Sequence, residues 1–434
     1  MMPLTESAAT RSPHGIHRVA VLSLHTSPLE QPGAGDAGGM NVYVAHLCRQ
    51  LRELGMAVDV FTRVPASQPA RSVTATPGVA QPHVIVHHLP AGPDSATKDD
   101  LYRFVPEISQ QIRDFYRGRP TPDAIHSHYW ISGLAGLEVR RDLGAPLIHT
   151  MHTLARVKMR DDPSAREPAV RVRAEDRLAA EADVLTANTS TECAELHELY
   201  HAPSGRVAVV PPGVDRTVFT PHGPSRWLPS HERWKVHAGR HSAPQPPLRI
   251  VFAGRLQPLK GPQLLLEALS VAARMAPQER FEVALIGHPS GAHTLRMDRL
   301  LPGPTGPVRA ELIPPVPATE LAAWFRGADL VAVPSFSESF GLVAAEAQAC
   351  GTPVLANRVG GLKHVVDDGA TGQLLTGQSA VQWARWLVEV ARDRSRLQLW
   401  GKQAALHAHR FDWAASAREL ARLYRVPKLE PCTA

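Results

Sequence analysis

Residues 329–357, DLVAVPSFSESFGLVAAEAQACGTPVLAN, combine two kinds of sequence pattern. The runs DLVAVPS and TPVLAN are short and rich in β-branched residues, which predicts two strands. Between them, GLVAAEAQACG is rich in Ala and bounded by glycines, which is typical of a helix. A strand, a helix and a second strand in this order predict a βαβ unit with parallel strands.

The same alternation extends outward through most of the chain. In the second half, LRIVFAGRL and FEVALIG are predicted strands, and PQLLLEALSVAARM, TELAAWFRGA and AVQWARWLVEVARD are predicted helices. The first half begins with the strand HRVAVLSLH, the loop GAGDAGGMN and the helix VYVAHLCRQLRELG. Further strands follow at AVDVFTR, HVIVHHL, DAIHSHY, PLIHTMH, ADVLTAN and VAVVPPGVD. This order predicts an α/β protein with two Rossmann-like, doubly wound parallel-sheet domains, which bind ligands at the carboxyl ends of their strands and face a central cleft.

A segment rich in Pro and His separates the two halves. Its sequence, PHGPSRWLPSHERWKVHAGRHSAPQPP, lacks any regular spacing of apolar residues. We therefore predict a disordered tail at 1–16, an N-terminal domain at 17–219, a linker or insertion at 220–247, a C-terminal domain at 248–405, and a helix and tail at 406–434 that pack back on the N-terminal domain. The run LPGPTGPVRAELIPPVP is predicted to be a Pro-rich loop.

Composition narrows the classes of function. The 434 residues carry a net charge of +6, spread along the chain, which argues against nucleic-acid binding and suits small anionic substrates. The four cysteines are far apart and form no C-x-x-C motif, which favours a reduced cytoplasmic protein. We find no signal-peptide pattern and no run of about twenty apolar residues, so we expect no membrane insertion.

The glycine-rich loop GDAGGMN, residues 35–41, lies between the first strand and the first helix. Glycines let the backbone approach a ligand, and the N–H groups of a helix N-terminus can face an anion. The loop is not G-x-G-x-x-G, so a phosphate or sugar site is favoured over a dinucleotide site. A tight turn without a ligand is the alternative.

Two later motifs carry charged residues. In AGRLQPLKG, Arg255 and Lys260 follow a predicted strand, where both can reach one diphosphate or can be ordinary solvated loop residues. Glu338 is predicted in a loop and Glu346 two turns into the following helix. Glu338 can accept bonds from sugar hydroxyls, while the N–H groups near Ser339, Phe340 and Gly341 face a pyrophosphate. Glu346 can bind a ribose diol or lie on the helix surface, and its alanine neighbours favour burial.

Four histidines lie near the ends of two successive predicted strands. His126 and His128 alternate along one strand, and His149 and His152 close the next. They can form a metal site, or they can hydrogen bond a polyol or the backbone. We favour the second interpretation, because no Cys or carboxylate accompanies them.

Together, LHTSPLEQPGAGDAGGMNVYV, HSHYWISGLAG, PLIHTMHTLARVK, GRLQPLKGPQ and PSFSESFGLVAAEAQACGTPV closely resemble the D-inositol-3-phosphate glycosyltransferases of mycothiol biosynthesis. The resemblance spans residues 17–425, and the spacing from Glu338 to Glu346 matches the E-x7-E motif of the wider family of retaining GT-B enzymes. It implies transfer of N-acetylglucosamine from UDP-N-acetylglucosamine to 1D-myo-inositol 3-phosphate with retention of anomeric configuration.

The resemblance also implies roles for individual residues. Catalytic roles fall to His152, Arg255, Lys260 and Glu338. The donor would be held by Gln31, Pro32, Gly39, Arg255, Lys260, Val316, Glu338, Ser339, Phe340, Gly341 and Glu346. The acceptor would be held by His25, Asp36, Ala37, Gly38, Gly39, Met40, Asn41, Lys98, Tyr129, Thr153 and Arg171. The family's magnesium position maps to Phe325, Arg326, Ala328 and Thr352, and a homodimer is expected.

Three other functions stay open at this point. A sugar-nucleotide epimerase has the same two-domain fold but needs no acceptor, and the loop GDAGGMN argues against it. A sucrose-phosphate type transferase differs only in its acceptor. A silent binding module is disfavoured by the intact set of Arg255, Lys260, Glu338 and Glu346. For the transferase, we expect a front-face reaction in which the leaving diphosphate takes the acceptor proton. A double displacement would need a second carboxylate on the opposite face of the sugar, and the sequence offers no obvious one.

Overall fold

The computed structural model describes residues 15–33, 37–75, 83–161, 165–228, 245–289, 295–303 and 306–426. These residues form two compact units. The first contains residues 15–30, 39–212 and 413–426, and the second contains residues 31–38 and 213–412, in each case where described. Almost all of the predicted tail at 1–16 lies outside the described residues.

The first unit is built on a sheet of eight strands among the described residues. They are β1 (Arg18–Leu22), β2 (Ala57–Val64), β3 (Arg71–Thr74), β4 (Val84–Pro90), β5 (Ala124–His128), β6 (Leu147–Thr150), β7 (Val184–Ala187) and β8 (Val207–Val209). Their spatial order is β3-β4-β2-β1-β5-β6-β7-β8. All neighbouring pairs are parallel except β3 with β4.

Helices connect these strands. They are α1 (Gly39–Glu53), α2 (Val105–Tyr116), α3 (Trp130–Leu143), α4 (Ala155–Asp161), α5 (Ala169–Glu181) and α6 (Ser190–Tyr200). A 3-10 helix, Lys98–Phe104, precedes α2. The core includes Leu22, Ile125, Leu147 and Leu178, which are almost fully buried. Helices cover the middle of the sheet, so β5, β6 and β7 are buried along their whole length, as is typical of a parallel sheet.

The second unit has a six-stranded parallel sheet within its described part. Its strands are β9 (Leu248–Ala253), β10 (Phe281–Ile286), β11 (Val308–Ile313), β12 (Leu330–Val333), β13 (Val354–Asn357) and β14 (Gly372–Leu375), in the order β11-β10-β9-β12-β13-β14. Its helices are α7 (Pro262–Met275), α8 (Met297–Leu300), α9 (Ala318–Gly327), α10 (Leu342–Ala349), α11 (Leu362–Val365), α12 (Ala380–Arg392) and α13 (Ser395–His407).

The side chains of β9 alternate between the apolar cores on the two faces of this sheet. Ile250 and Phe252 belong to one apolar cluster, and Val251 belongs to another. Successive side chains of a strand point to opposite faces, so one strand contributes to two cores. The predicted class of two doubly wound α/β domains is confirmed.

The chain returns to the first unit at its last described helix, α14 (Trp413–Leu423). The Trp413 ring lies edge-on to Tyr43 of α1 at 5.3 Å and stacks on His46 at 5.5 Å. The Tyr424 hydroxyl lies 3.0 Å from Nδ1 of buried His126. These contacts attach the end of the described chain to α1 and β5.

Two predictions about local structure were wrong. The Pro-rich run 301–317 contains β11, because its central residues pair in register with β10 from Val308 to Ile313. The antiparallel strand β3 was also missed, because its exposed polar residues lack the buried pattern of the other strands. In the described part of the chain, Cys48, Cys193 and Cys350 are buried and form no disulfide, and no helix has the length and apolar character needed to cross a membrane.

Candidate functional site

The order of strands locates a ligand site in the second unit. The chain runs outward from β9 to β11 on one side and then continues at β12 on the other side of β9. Ligands of doubly wound sheets bind at such a reversal, outside the carboxyl ends of the strands. The loop after β9 carries Arg255 and Lys260, and the loop after β12 carries Glu338. The topology therefore brings the two charged motifs to the same place.

Lys260 and Glu338 form an ion pair there. The Lys260 Nζ lies 2.6 Å from Oε2 of Glu338, which also accepts a bond of 3.1 Å from the Ser335 hydroxyl. The two charged side chains are 26% and 14% exposed. A lysine ammonium has three donors, so the pair leaves Lys260 able to bind an anion.

The two loops are held together by backbone contacts. The N–H of Phe336 donates to the carbonyl of Leu259 over 2.9 Å. Gly261 has φ +74°, and a Cβ at this position would lie 2.1 Å from the Pro334 carbonyl oxygen. Asn357, fully buried at the end of β13, donates to the carbonyls of Pro334 and Ser335. The sequence analysis did not identify Asn357. Its position as the polar last residue of an apolar strand could have indicated a role.

Helix α10 begins at Leu342, four residues after Glu338. Gly341 is its N-cap, with φ +103°, so the first N–H groups of the helix face the end of this loop. Ser339 is partly buried, and Phe340 is buried edge-on against Phe411 at 5.6 Å. A helix N-terminus is suited to a phosphate group, because its first N–H groups can point at an anion.

Glu346 is buried, as predicted, and it is the fifth residue of α10. The predicted depth of two turns was wrong, because the helix begins at Leu342 and places Glu346 just beyond the first turn. Burial raises the pKa of its carboxyl to about 8. A buried carboxylate is costly unless it accepts hydrogen bonds. The two hydroxyls of a diol can donate such bonds, so this carboxyl is suited to a diol ligand.

Several other predicted donor residues also lie in the second unit. The Gln31 side-chain amide donates to the Val316 carbonyl over 3.0 Å. A Cβ on Gly38 would lie 3.7 Å from Nε of Arg255, and Arg255 itself is partly buried. Pro32 is exposed, and so is Gly39, which opens α1 of the first unit.

In the first unit, the predicted acceptor residues converge on Tyr129. The His25 ring lies 4.5 Å from the Tyr129 ring, between centroids. Lys98 Nζ lies 4.7 Å from the centroid of the same ring, and Cζ of Arg171 lies 5.0 Å from it. Arg171 also donates two bonds of 3.0 Å to Thr153, at its carbonyl and its hydroxyl. Five residues from distant positions in the sequence are thus brought together at the ends of β1, β5 and β6.

Two carboxylates fix the Arg171 guanidinium. Its Nε lies 2.7 Å from Glu175 and its Nη1 lies 2.7 Å from Glu167, and its side chain is 2% exposed. Burial alone would lower the pKa of Arg171, but Glu175, Tyr129 and Glu167 together raise it. Glu175 is itself anchored by the N–H of Ala155 and by the Tyr200 hydroxyl. The guanidinium is therefore charged and rigidly oriented.

Lys158 is a third cation of this cluster, which sequence reasoning missed. Its Nζ lies 3.1 Å from Glu167. Burial lowers the pKa of Lys158, the positive charge of Arg171 lowers it further, and Glu167 opposes both effects. Lys158 lies within the quoted run HTLARVK, but nothing in the sequence indicates that α4 turns it toward Arg171.

The glycine-rich loop is only partly described. Asp36 lies outside the described residues, while Ala37 is buried and its carbonyl accepts from the N–H of Gly33. Met40 packs on the apolar core of the first unit. The buried Asn41 amide donates to the Thr26 hydroxyl over 2.7 Å. Asn41 therefore holds the loop that follows β1.

The four histidines do not converge on one point, and their hydrogen bonds are made to side chains. His126 contacts Tyr424 and Thr150, and His149 contacts the Ser127 hydroxyl at 2.7 Å. His128 Nδ1 lies 2.9 Å from Nε2 of His152. Within the described residues, no group of three or more His, Cys, Asp or Glu side chains could hold a metal ion.

The proposed magnesium residues do not fit a divalent cation in this arrangement. The Phe325 carbonyl already accepts bonds from the Thr352 hydroxyl, at 2.7 Å, and from the N–H of Ala328, at 3.1 Å. Arg326 contributes a cation, which donates to the carbonyls of Thr220 and Pro224. Mg²⁺ usually needs at least one carboxylate or phosphate ligand, and these four residues offer none.

Comparison with known proteins agrees with the fold. The family model for Glycosyltransferase Family 4 matches residues 37–218, and the model for Glycosyl transferases group 1 matches residues 236–407. Among solved structures, sucrose-phosphate synthase from Thermosynechococcus elongatus is 26% identical, with a TM-score of 0.77 over 94% of this chain and 98% of that chain. The trehalose-6-phosphate synthase OtsA has a TM-score of 0.69 at 12% identity, over 96% of this chain and all of its own, and supports the fold alone.

Curated relatives are closer in sequence. The D-inositol 3-phosphate glycosyltransferase of Thermobispora bispora is 43% identical over 94% of both chains. That of Pseudarthrobacter chlorophenolicus is also 43% identical, over 93% of both chains. The chain therefore belongs to the D-inositol 3-phosphate glycosyltransferase family and is a glycosyltransferase of the GT-B fold.

Proposed function

We propose that the protein transfers N-acetylglucosamine from UDP-N-acetylglucosamine to 1D-myo-inositol 3-phosphate, with retention of the anomeric configuration, as the first step of mycothiol biosynthesis. The observation that carries the proposal is the cluster of Lys98, Lys158 and Arg171 beside Tyr129 in a chain of this family. Such a cluster is the feature that an anionic, phosphorylated acceptor requires.

The charge balance of the cluster favours a phosphate. Three cations stand beside two carboxylates, Glu167 and Glu175. The cluster therefore has an excess of positive charge, which attracts a phosphate dianion. The phosphate would accept charge-assisted bonds from Arg171 and the lysines. The Thr153 hydroxyl lies at the same guanidinium and can donate to a phosphate oxygen. An uncharged polyol would form no charge-assisted bonds with this cluster.

The donor would bind to the second unit. Lys260 and Arg255 would neutralise the diphosphate, together with the N-terminus of α10. Glu338 would accept bonds from sugar hydroxyls while it holds Lys260 in position. Glu346 would bind the two ribose hydroxyls, and this contact would favour its ionised form. Gln31, Pro32, Gly39 and Val316 stay predicted donor contacts.

The reaction would proceed on one face of the sugar. The bond from the anomeric carbon to the diphosphate oxygen breaks, and a bond forms from that carbon to an acceptor hydroxyl oxygen. The hydroxyl proton moves to the leaving diphosphate, which becomes UDP. Lys260, Arg255 and the helix N-terminus stabilise the negative charge that develops on the diphosphate. His152 would orient the sugar.

Purified protein with both substrates tests this function. Mass spectrometry should find N-acetylglucosaminyl-inositol phosphate and UDP in equal amounts, and proton NMR should find the retained anomer. UDP release without this product would reject the acceptor. A product from UDP-N-acetylglucosamine alone would support an epimerase. The homodimer and the cytoplasmic location stay predictions, which ultracentrifugation and cell fractionation test.

The likeness to sucrose-phosphate synthase favours one second candidate. Fructose 6-phosphate also carries a phosphate, so the cation cluster alone admits it. Parallel reactions with equal concentrations of the two acceptors separate the candidates. We expect turnover with inositol 3-phosphate, and preferential use of fructose 6-phosphate would overturn the proposal.

A further inference from the structure

The pair His128 and His152 has a hydrogen-bond pattern that fixes the position of a proton. His128 is the last residue of β5, and His152 lies two residues beyond the end of β6. Nδ1 of His128 lies 2.9 Å from Nε2 of His152. His128 is fully buried and His152 is 9% exposed.

His152 is also held in an unusual backbone conformation, with φ +61°. Positive φ costs a non-glycine residue about 1–3 kcal/mol, and such strain is typical of functional sites. Tyr43 packs edge-on against the His152 ring, with centroids 5.0 Å apart, and also contacts the His128 ring at 5.6 Å. The imidazole of His152 is therefore fixed by its backbone, by Tyr43 and by His128.

Both rings are neutral. Burial, together with neighbouring His149, lowers the pKa of His152 to about 3, and burial and the neighbouring histidines hold the pKa of His128 well below its usual value. In a neutral pair joined by one hydrogen bond, one ring donates and the other accepts. The two possible arrangements place the proton of His152 on different nitrogens.

The other nitrogen of His128 decides between them. Its Nε2 is buried and has no hydrogen-bond partner among the described residues. If His152 donated, the proton of His128 would lie on this Nε2, as a buried N–H without an acceptor. Buried N–H groups without partners are rarer than acceptors with unfilled lone pairs. The favoured arrangement has Nδ1–H of His128 donating and leaves Nε2 as a bare lone pair.

We infer that His128 is a positioning residue that donates to Nε2 of His152 and so holds the His152 proton on Nδ1. No partner of that Nδ1 is found within the described part of the chain, so its N–H is available to a hydroxyl oxygen of the transferred sugar. Model imidazoles in water prefer the Nε2–H tautomer. The contact with His128 would therefore select the Nδ1–H tautomer of His152, which can donate a hydrogen bond to the sugar. The inference rests on the proposed role of His152 and not on the identity of the acceptor.

The tautomer can be measured directly. Long-range ¹H–¹⁵N spectra of protein with ¹⁵N-labelled histidine rings distinguish the two neutral forms, and the His152 signals are identified by their loss in His152→Gln. We expect Nδ1–H in the wild-type protein. His128→Asn retains a donor near Nδ1 and should keep this form, whereas His128→Leu should convert His152 largely to Nε2–H.

Turnover supplies the second readout. His128→Leu should lower kcat on the order of ten- to a hundredfold with little change in the donor KM, and His128→Asn should recover most of it. His149→Leu removes an equally buried ring whose two nitrogens contact Ser127 and Met151 and not His152, and should leave the tautomer unchanged. Nε2–H of His152 in the wild type, or an unchanged tautomer in both His128 variants, would overturn the inference. If the wild type keeps Nδ1–H but forms no glycosylated inositol phosphate, only the proposed function fails.

Discussion

At the scale of single residues, a substitution of Lys260 tests the proposed mechanism most directly. It pairs with Glu338 and is expected to neutralise the leaving diphosphate. Lys260→Ala should lower kcat by about 10²-fold or more, because a stabilising charge is lost in the transition state. The melting temperature should change little, because the pair is partly exposed. Lys402→Ala, on the exposed side of α13, is the control, and near-normal turnover of Lys260→Ala would reject the role.

Glu346 makes stability depend on pH. Its folded-state pKa is raised from 4.5 to about 8, so the folded protein binds a proton that the unfolded chain has already released. The stabilisation is complete below about pH 4.5 and is lost as the pH rises toward 8. Glu346→Gln lacks this titration, so its stability relative to the wild type should rise by at least about 1 kcal/mol between pH 5 and pH 8. Urea denaturation at both pH values measures it, and a constant difference would contradict the raised pKa.

The sequence identified individual residues unevenly. Lys260 and Glu338 lie in dense motifs beside predicted strands, so their proximity followed from topology. Arg171 and Lys98 lie in segments without tight motifs and came from the resemblance alone. Lys158 and Asn357 were missed, because their roles depend on the direction of a side chain that only the packed structure defines.

At the scale of elements, the loops after β9 and β12 act as one piece. Gly261 allows their close approach, through its positive φ and the Pro334 oxygen that a Cβ would meet. Gly261→Ala should displace both loops and lower kcat/KM for the donor by about tenfold or more. Gly377→Ala is a matched control, because its φ is +80° but nothing lies within 4 Å of the added Cβ. It should cost only about 1 kcal/mol of stability. Equal kinetics of the two variants would contradict the coupling.

Elements with a regular apolar pattern were predictable. Helix α7 was predicted at the residues that form it, Pro262–Met275, because its apolar spacing and bounding Pro and Gly agree. Strands β3 and β11 were not predicted, because an edge strand buries only one side and tolerates polar residues and nearby prolines. β3 and β11 are stabilised by pairing with β4 and β10, and this pairing cannot be predicted from the local sequence.

At the scale of the whole molecule, the end of the described chain belongs to the first unit. Trp413 is 4% exposed and covers Tyr43 and His46 of α1. Trp413→Ala should lower the free energy of unfolding by about 3–5 kcal/mol. Hydrogen exchange should increase in α1 and β5, while α7 and α12 of the second unit keep their protection. Leu406→Ala, at a side chain of α13 that is 74% exposed, is the control. An even loss of protection in both units would contradict this assignment of α14.

We propose that this glycosyltransferase selects its acceptor by the phosphate, through the cations clustered at Tyr129. The most direct measurement is the ratio of kcat/KM for 1D-myo-inositol 3-phosphate to that for unphosphorylated myo-inositol. We predict a ratio of at least about 10³, because the neutral acceptor cannot form charge-assisted bonds with Arg171 and the lysines. Lys158→Met should reduce the ratio on the order of tenfold. Equal use of both acceptors by the wild-type protein would contradict the account.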